Sequence, residues 1–111
     1  MKEIRAIVRP ARLERLREAL RAIPGSPGVV ILRAEGFTAP ASLEKRSIRD
    51  ELTGFVDKLM VCVLCESNMV ETVRETIIDA CQTGKTGDGL VWVIDIAQVH
   101  RIRDRQRLDK A

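Results

Sequence analysis

The chain repeats itself. Ile4, Ala6, Leu13, Leu16, Arg17, Glu18 and Leu20 in the first half stand at a constant offset from Val61, Val63, Val70, Val73, Arg74, Glu75 and Ile77 in the second. Each half begins with apolar residues at period two, changes to helical spacing, and returns to period two. In the first half the segments are KEIRAIVR, then a stretch with Leu13, Leu16, Leu20 and Ile23 on one helical face, a stop at Pro24-Gly25, and GVVILRAEGF. In the second they are KLMVCVLCE, a helix expected over 69–82 with Val70, Val73, Ile77 and Ala80 on one face, and LVWVIDI. Asn68, with Glu71 three residues on, is placed to cap that second helix.

Two consecutive strand-helix-strand units must bury their helices against a shared sheet. The expected fold is therefore α+β and ferredoxin-like: a double βαβ in which a four-stranded antiparallel sheet carries both helices on one face. The 111 residues suit one domain over 1–111. The other sheet face is left bare. Ile7, Val30, Val63 and Val93 are expected to crowd it, and an exposed apolar face of that size implies association into a closed oligomer. Between the halves runs TAPASLEKRSIRDELTG, residues 38–54. It is long and polar for a connection inside a compact domain, which marks it as an arm for contacting a partner or ligand. A helical turn around Leu43–Ile48 is its one expected local order.

Composition narrows the function classes. The net charge is +3 and aromatic residues make up 3% of the chain. Base stacking therefore has little to work with, and no recognition-helix or zinc pattern accompanies the basic excess, so nucleic acid is not the expected partner. No secretory signal opens the chain and no apolar run approaches the ~18 residues that span a bilayer. The three cysteines set out no disulfide framework. Cys62 and Cys65 lie three apart on a strand, hence on opposite faces, and read as ordinary small hydrophobes rather than a metal or redox pair. The chain is expected to be cytoplasmic, with reduced thiols, no metal site and no membrane insertion. Catalysis is not expected, since His100 stands alone and Asp88 sits between glycines where a turn role suffices.

TGKTGDGLVWV, residues 83–93, has the look of a phosphate loop. It is not a Walker P-loop, because the position where that motif needs its first glycine is Asp79. The order is also reversed: here a helix precedes the glycines and a strand follows, so no helix N-terminus faces a phosphate. Gly84 reads as the helix C-cap. Gly87-Asp88-Gly89 adds two further glycines beyond what a helix stop requires.

TGKTGDGLVWV followed by VHRIRDR resembles the P-II signal-transduction proteins, whose pattern there is T-G-K-x-G-D-G-K-I-F-V and then R-I-R. The opening MKEIRAIVRPARLERLREAL and the Glu35-Gly36-Phe37 triplet are similar as well. The resemblance covers the chain except residues 38–54 and the final residues. It implies a homotrimer of ferredoxin-like subunits with a long arm, the T-loop, at about 38–57. It also implies that the glycine loop binds ATP, ADP or AMP in the cleft between subunits. By that resemblance Gly87, Asp88 and Gly89 bring the backbone to the phosphates and Arg101 and Arg103 supply charge. Ile7 and Leu64 match positions around the adenine, Gly36 and Phe37 the base of the arm, and Lys58 its far end. Arg101 and Arg103, two apart on a short extended segment, are expected to project from one side toward one anion.

Departures from the pattern bear on the signal. The lysine after G-D-G is Leu90, and the adenine-contacting threonine aligns with Val30. The arm's G-F-G-R-Q-K-G becomes Gly36-Phe37-Thr38-Ala39-Pro40, without the glutamine that helps hold Mg²⁺ and 2-oxoglutarate. The chain has no tyrosine, so it has no site for uridylylation. The expected protein is a divergent P-II-like regulator that binds an adenine nucleotide, with a small anion such as bicarbonate, and signals to a partner through its arm. The alternative is a structural or metal/efflux-associated trimer that has lost nucleotide binding.

Overall fold

The structure, a computed structural model, describes residues 1–36 and 56–109. The arm at 38–54, its helical turn and Phe37 lie outside the described residues. Along the chain run β1 (Lys2–Val8), α1 (Leu13–Arg21), β2 (Val29–Gly36), β3 (Val56–Cys65), α2 (Val70–Cys81) and β4 (Leu90–Asp95). The strands form one antiparallel sheet in the order β2-β3-β1-β4. This is the ferredoxin-like arrangement, with the two halves interleaved at the centre through β1 and β3.

The sequence repeat has a structural counterpart at every step. In the register of the central pair, Ile4 faces Val63 and Ala6 faces Val61, so a pseudo-twofold axis between them exchanges the two repeat-related pairs. All four are fully buried, as are Leu16 of α1 and Val73 of α2, and Leu20 and Ile77 join the same core. Each helix is led in by one turn of 3₁₀ helix, Pro10–Arg12 before α1 and Ser67–Met69 before α2. Burying each of the valine, leucine and isoleucine side chains among them contributes about 1.5–3 kcal/mol, and the Ala6 methyl less. Truncating the fully buried Leu16 to alanine costs about 2–5 kcal/mol.

Three local expectations are corrected. Asn68 does not cap α2: it lies inside the 3₁₀ turn, where the backbone is already helical, and α2 begins after Met69 without a side-chain cap. The extended residue that a cap requires is Glu66 (φ −64°, ψ 150°). Val63 and Val93 do not belong to the bare face. Strand alternation turns Val63 into the core, and Val93, opposite Ile4, lies on the helix side but stays 40% exposed on the edge strand β4. The bare face carries instead Ile7, Val30, Leu32, Met60, Leu64 and Trp92, and Val30 and Leu32 are about half exposed. Finally, β3 already begins at Val56, so the arm closes before the expected residue 57. Cys62 and Cys65 do take opposite faces: Cys65 is buried and Cys62 is partly exposed.

Candidate functional site

After α2 the chain must return to the sheet edge beside β1. It does so through residues 82–89. Helix α2 stops because Gln82 turns extended (φ −71°, ψ 127°), so Gly84 is not the helix cap. Its left-handed backbone (φ +81°) belongs to the turn that follows. Asp88 organises that turn. Its carboxylate accepts from the Thr83 amide at 2.8 Å, the Gly84 amide at 2.9 Å and the Thr83 hydroxyl. Arg9 Nε donates to the same carboxylate at 3.2 Å. These donors, the Thr83 hydroxyl first, hold the Asp88 carboxyl well below the usual carboxylate range.

The two outer glycines are required by space and dihedral angle together. Gly87 has φ +97° and Gly89 has φ +101°. A Cβ on Gly89 would stand 1.7 Å from the carbonyl oxygen of Ile7, and one on Gly87 would crowd the Arg9 guanidinium at 3.1 Å. Gly89 thus lets the loop cross the end of β1 in contact with its backbone. Two cations from the sheet grip the loop's carbonyls: Arg9 donates to Thr86 O at 2.6 Å and Lys58 Nζ to Gly87 O at 3.1 Å. The Asp88 amide closes on Lys85 O at 3.3 Å. Among the described residues, the amides of Gly87 and Gly89 have no hydrogen-bond partner. A recess of about 200 Å³ lies beside the loop, lined by Ile7, Ile77, Cys81, Asp88, Gly89 and Leu90. Burial pushes the Cys81 thiol up, so its sulfur enters that wall as an uncharged apolar group.

The structure gathers some expected residues and separates others. Gly87, Asp88, Gly89 and Lys58 form one cluster, and Ile7 adjoins it through its pairing with Leu90. Leu64 lies on the same bare face as Ile7 but opposite Glu3, whereas Ile7 is opposite Met60. The two are four residues apart along the sheet, about 13 Å, and do not enclose one adenine within a chain. Gly36 ends β2 opposite Val56, where the arm begins. Arg9 went unrecognised in the sequence, although it completes the loop. Its signal was its place directly after a strand whose neighbour in the sheet leads out of the glycines.

Arg101 and Arg103 are not on an extended segment. Residues 102–104 form the turn of a small C-terminal hairpin closed by the His100–Arg107 bridge and by Leu108 N donating to Val99 O at 2.8 Å. Arg101 donates to Asp104 at 2.7 Å and to the Gln106 side chain at 2.6 Å. Asp104 also accepts the Gln106 amide, and both contacts, the guanidinium first, lower its carboxyl's pKa. Arg105 takes the left-handed conformation that the tight turn demands (φ +64°). Arg103 is exposed and makes no ion pair among the described residues. The tip between the two arginines carries Ile102, almost fully exposed.

The family model for nitrogen regulatory protein P-II matches residues 1–106, which spans both βαβ units, the glycine loop and the first part of the hairpin. The chain belongs to the P-II family. It is 35% identical over 112 aligned residues to nitrogen regulatory protein P-II 1 of Escherichia coli (strain K12), covering all of this chain and 99% of that protein. Nitrogen regulatory protein P-II of Klebsiella oxytoca gives the same identity and coverage. The nitrogen regulatory protein P-II homolog of Arabidopsis thaliana is 34% identical over 111 residues, 98% of this chain and 56% of the plant protein. Membership makes this chain one of a family of regulatory proteins. Among the described residues, no helix is long and apolar enough to cross a membrane, and no group of three or more His, Cys, Asp or Glu side chains stands together.

Proposed function

We propose that this P-II family protein is a regulator that binds an adenine nucleotide, ATP, ADP or AMP, at clefts between the subunits of a homotrimer. The reading rests on one observation above the others. The Gly87 and Gly89 amides are unpartnered in a loop whose turn is braced through Asp88, Arg9 and Lys58. Amides held free on a braced turn form a concavity suited to phosphate oxygens. The apolar bare face, with Val30 and Leu32 half exposed, is the surface through which three copies associate. Assembly also supplies what one chain lacks, by bringing Arg103 and Arg101 of the hairpin tip to a neighbour's phosphates and uniting adenine-facing residues from two copies.

Nucleotide, together with a small anion such as bicarbonate, would act on the arm, about residues 38–57, through which the protein would signal to a partner protein. Ligand can do so only through different affinities for two arm states. Leu90 removes the cation that the family pattern places after G-D-G. One charge-assisted hydrogen bond is then missing, a loss of about 1.5–3 kcal/mol. ADP and AMP are accordingly expected to compete well with ATP. A second reading, an assembly without nucleotide, draws on Leu90, which is 73% exposed where a phosphate-directed cation would stand.

Calorimetric titration of ATP, ADP and AMP, with and without Mg²⁺ and bicarbonate, separates the two. The proposal expects saturable binding that weakens at least about tenfold, 1.4 kcal/mol, in the Arg101→Ala/Arg103→Ala double variant with the assembly intact. Unchanged affinity in that variant would remove the arginines from the site, and no binding of any nucleotide would favour the second reading.

A further inference from the structure

Arg9 lies outside the glycine motif, yet it holds two of its groups. Its terminal nitrogen donates to Thr86 O at 2.6 Å and its Nε to Asp88 at 3.2 Å. In a trans peptide the carbonyl and the amide of one unit point in opposite directions. Fixing the Thr86 carbonyl on Arg9 therefore directs the Gly87 amide away from Arg9, toward the open side of the loop. The same argument applies one residue on, where Lys58 holds the Gly87 carbonyl and the Asp88 amide turns back to Lys85 O. Without such anchors the direction of the Gly87 amide would be undefined, because a glycine with φ near +97° has wide alternatives on either side.

We propose that Arg9 is a positioning residue for phosphate: it aims the Gly87 amide, through Thr86, and steadies Asp88, without itself touching the ligand. This rests on the nucleotide-binding reading above. It also accounts for how the loop keeps its shape with Leu90 after the motif, since the orienting charge comes from the end of β1 rather than from the loop. A positioning role carries a signature that a direct phosphate contact does not. All nucleotides depend on the same amide, so loss of Arg9 should weaken AMP, ADP and ATP by a similar factor. A direct contact would weaken them in proportion to their phosphates.

The test uses the full-length protein labelled with ¹⁵N, as wild type, Arg9→Met and Arg9→Lys. Methionine keeps much of the aliphatic stem and removes both donors, and lysine restores one. Two quantities are read: the Gly87 and Gly89 amide signals with their exchange rates in the ligand-free protein, and the affinities for AMP, ADP and ATP. The expectation for Arg9→Met is a displaced, faster-exchanging Gly87 amide, β-strand signals unchanged, and affinity down about tenfold or more for each nucleotide. Arg9→Lys should recover a large part of both. An unmoved Gly87 amide in Arg9→Met overturns the proposal, and so does a loss that grows from AMP to ATP. If the wild type binds no nucleotide, the reading of the preceding section fails by itself, and the Gly87 amide of the ligand-free variants still decides whether Arg9 orients it.

Discussion

The chain makes the same connection twice, from a helix back to the sheet, and builds it in two different ways. After α1, residues 22–28 cross with little constraint. Gly25 is left-handed (φ +69°) but has nothing within 4 Å of where a Cβ would be. One side-chain bond, Ser26 Oγ to Leu20 O at 2.8 Å, ties that turn to the helix end. After α2, residues 82–89 are bound to β1 and β3 by Arg9, Lys58 and the carboxylate of Asp88. Topology requires only the first kind of connection. The additional hydrogen bonds and glycines of the second do nothing for chain reversal that the first does not achieve, and the Gly87 and Gly89 amides are left without hydrogen-bond partners among the described residues. Within one repeat, the excess of construction in the second copy locates the site.

The contrast should be largest in a pair of glycine substitutions. Gly89→Ala adds a Cβ that overlaps the Ile7 carbonyl in a left-handed backbone, so the loop and β1 cannot both keep their positions. We expect a loss above about 4 kcal/mol or failure to fold. Gly25→Ala meets only the dihedral penalty of about 1–2 kcal/mol. Urea unfolding of the two variants reads the difference, and comparable midpoints would mean that the second connection is no tighter than the first.

Next in size is Asp88→Asn. The amide side chain keeps one acceptor oxygen and must give up donors among Thr83, Gly84 and Arg9. Its thermal midpoint should fall further than that of Ser26→Ala, which loses a single bond worth about 1 kcal/mol. Only Asp88→Asn should also weaken nucleotide binding. Equal effects of the two on stability, with no effect on binding, would erase the distinction between the connections.

A smaller effect is expected with pH. The folded-state pKa of Asp88 is depressed, so its contribution to stability is present above the unfolded carboxylate value of about 4. It is lost as pH falls below that value. Stability should therefore be nearly level from pH 7 to 5 and decline below about pH 4. Asp104 and Asp109, also depressed by their arginine partners, add to the same limb. Asp88→Asn should flatten part of the decline, and an acid limb identical to that of the wild type would show that the loop does not hold the charged carboxylate.

How much of this could be read in advance depended on the range of the interaction. The core was legible because burial imposes period: Ile4, Ala6, Leu16 and their counterparts Val61, Val63 and Val73 recur at strand and helix spacing and are all buried. The faces of Val63 and Val93 were misassigned because period two fixes alternation but not which parity is inside; pairing decides that. Asn68 has the right residue type for a cap, but the 3₁₀ lead-in moved the helix start beyond it. Gly87 and Gly89 were visible as glycines in excess of need. Arg9 was not, since its partners are more than seventy residues away and only the β1–β4 pairing brings them together. Arg101 looked available for an anion because the short range bond to Asp104 depends on a turn that two charged residues at that spacing do not announce.

The central claim is that the second connection is a phosphate cradle made of the Gly87 and Gly89 amides. Its most direct test is a titration of the ¹⁵N-labelled full-length protein with ADP, following every backbone amide. The account predicts that the Gly87 and Gly89 signals move together and saturate, with the largest shifts in the chain, while the amides of residues 22–28 remain still. Saturable binding that leaves Gly87 and Gly89 in place, or shifts centred elsewhere on the sheet, would contradict it.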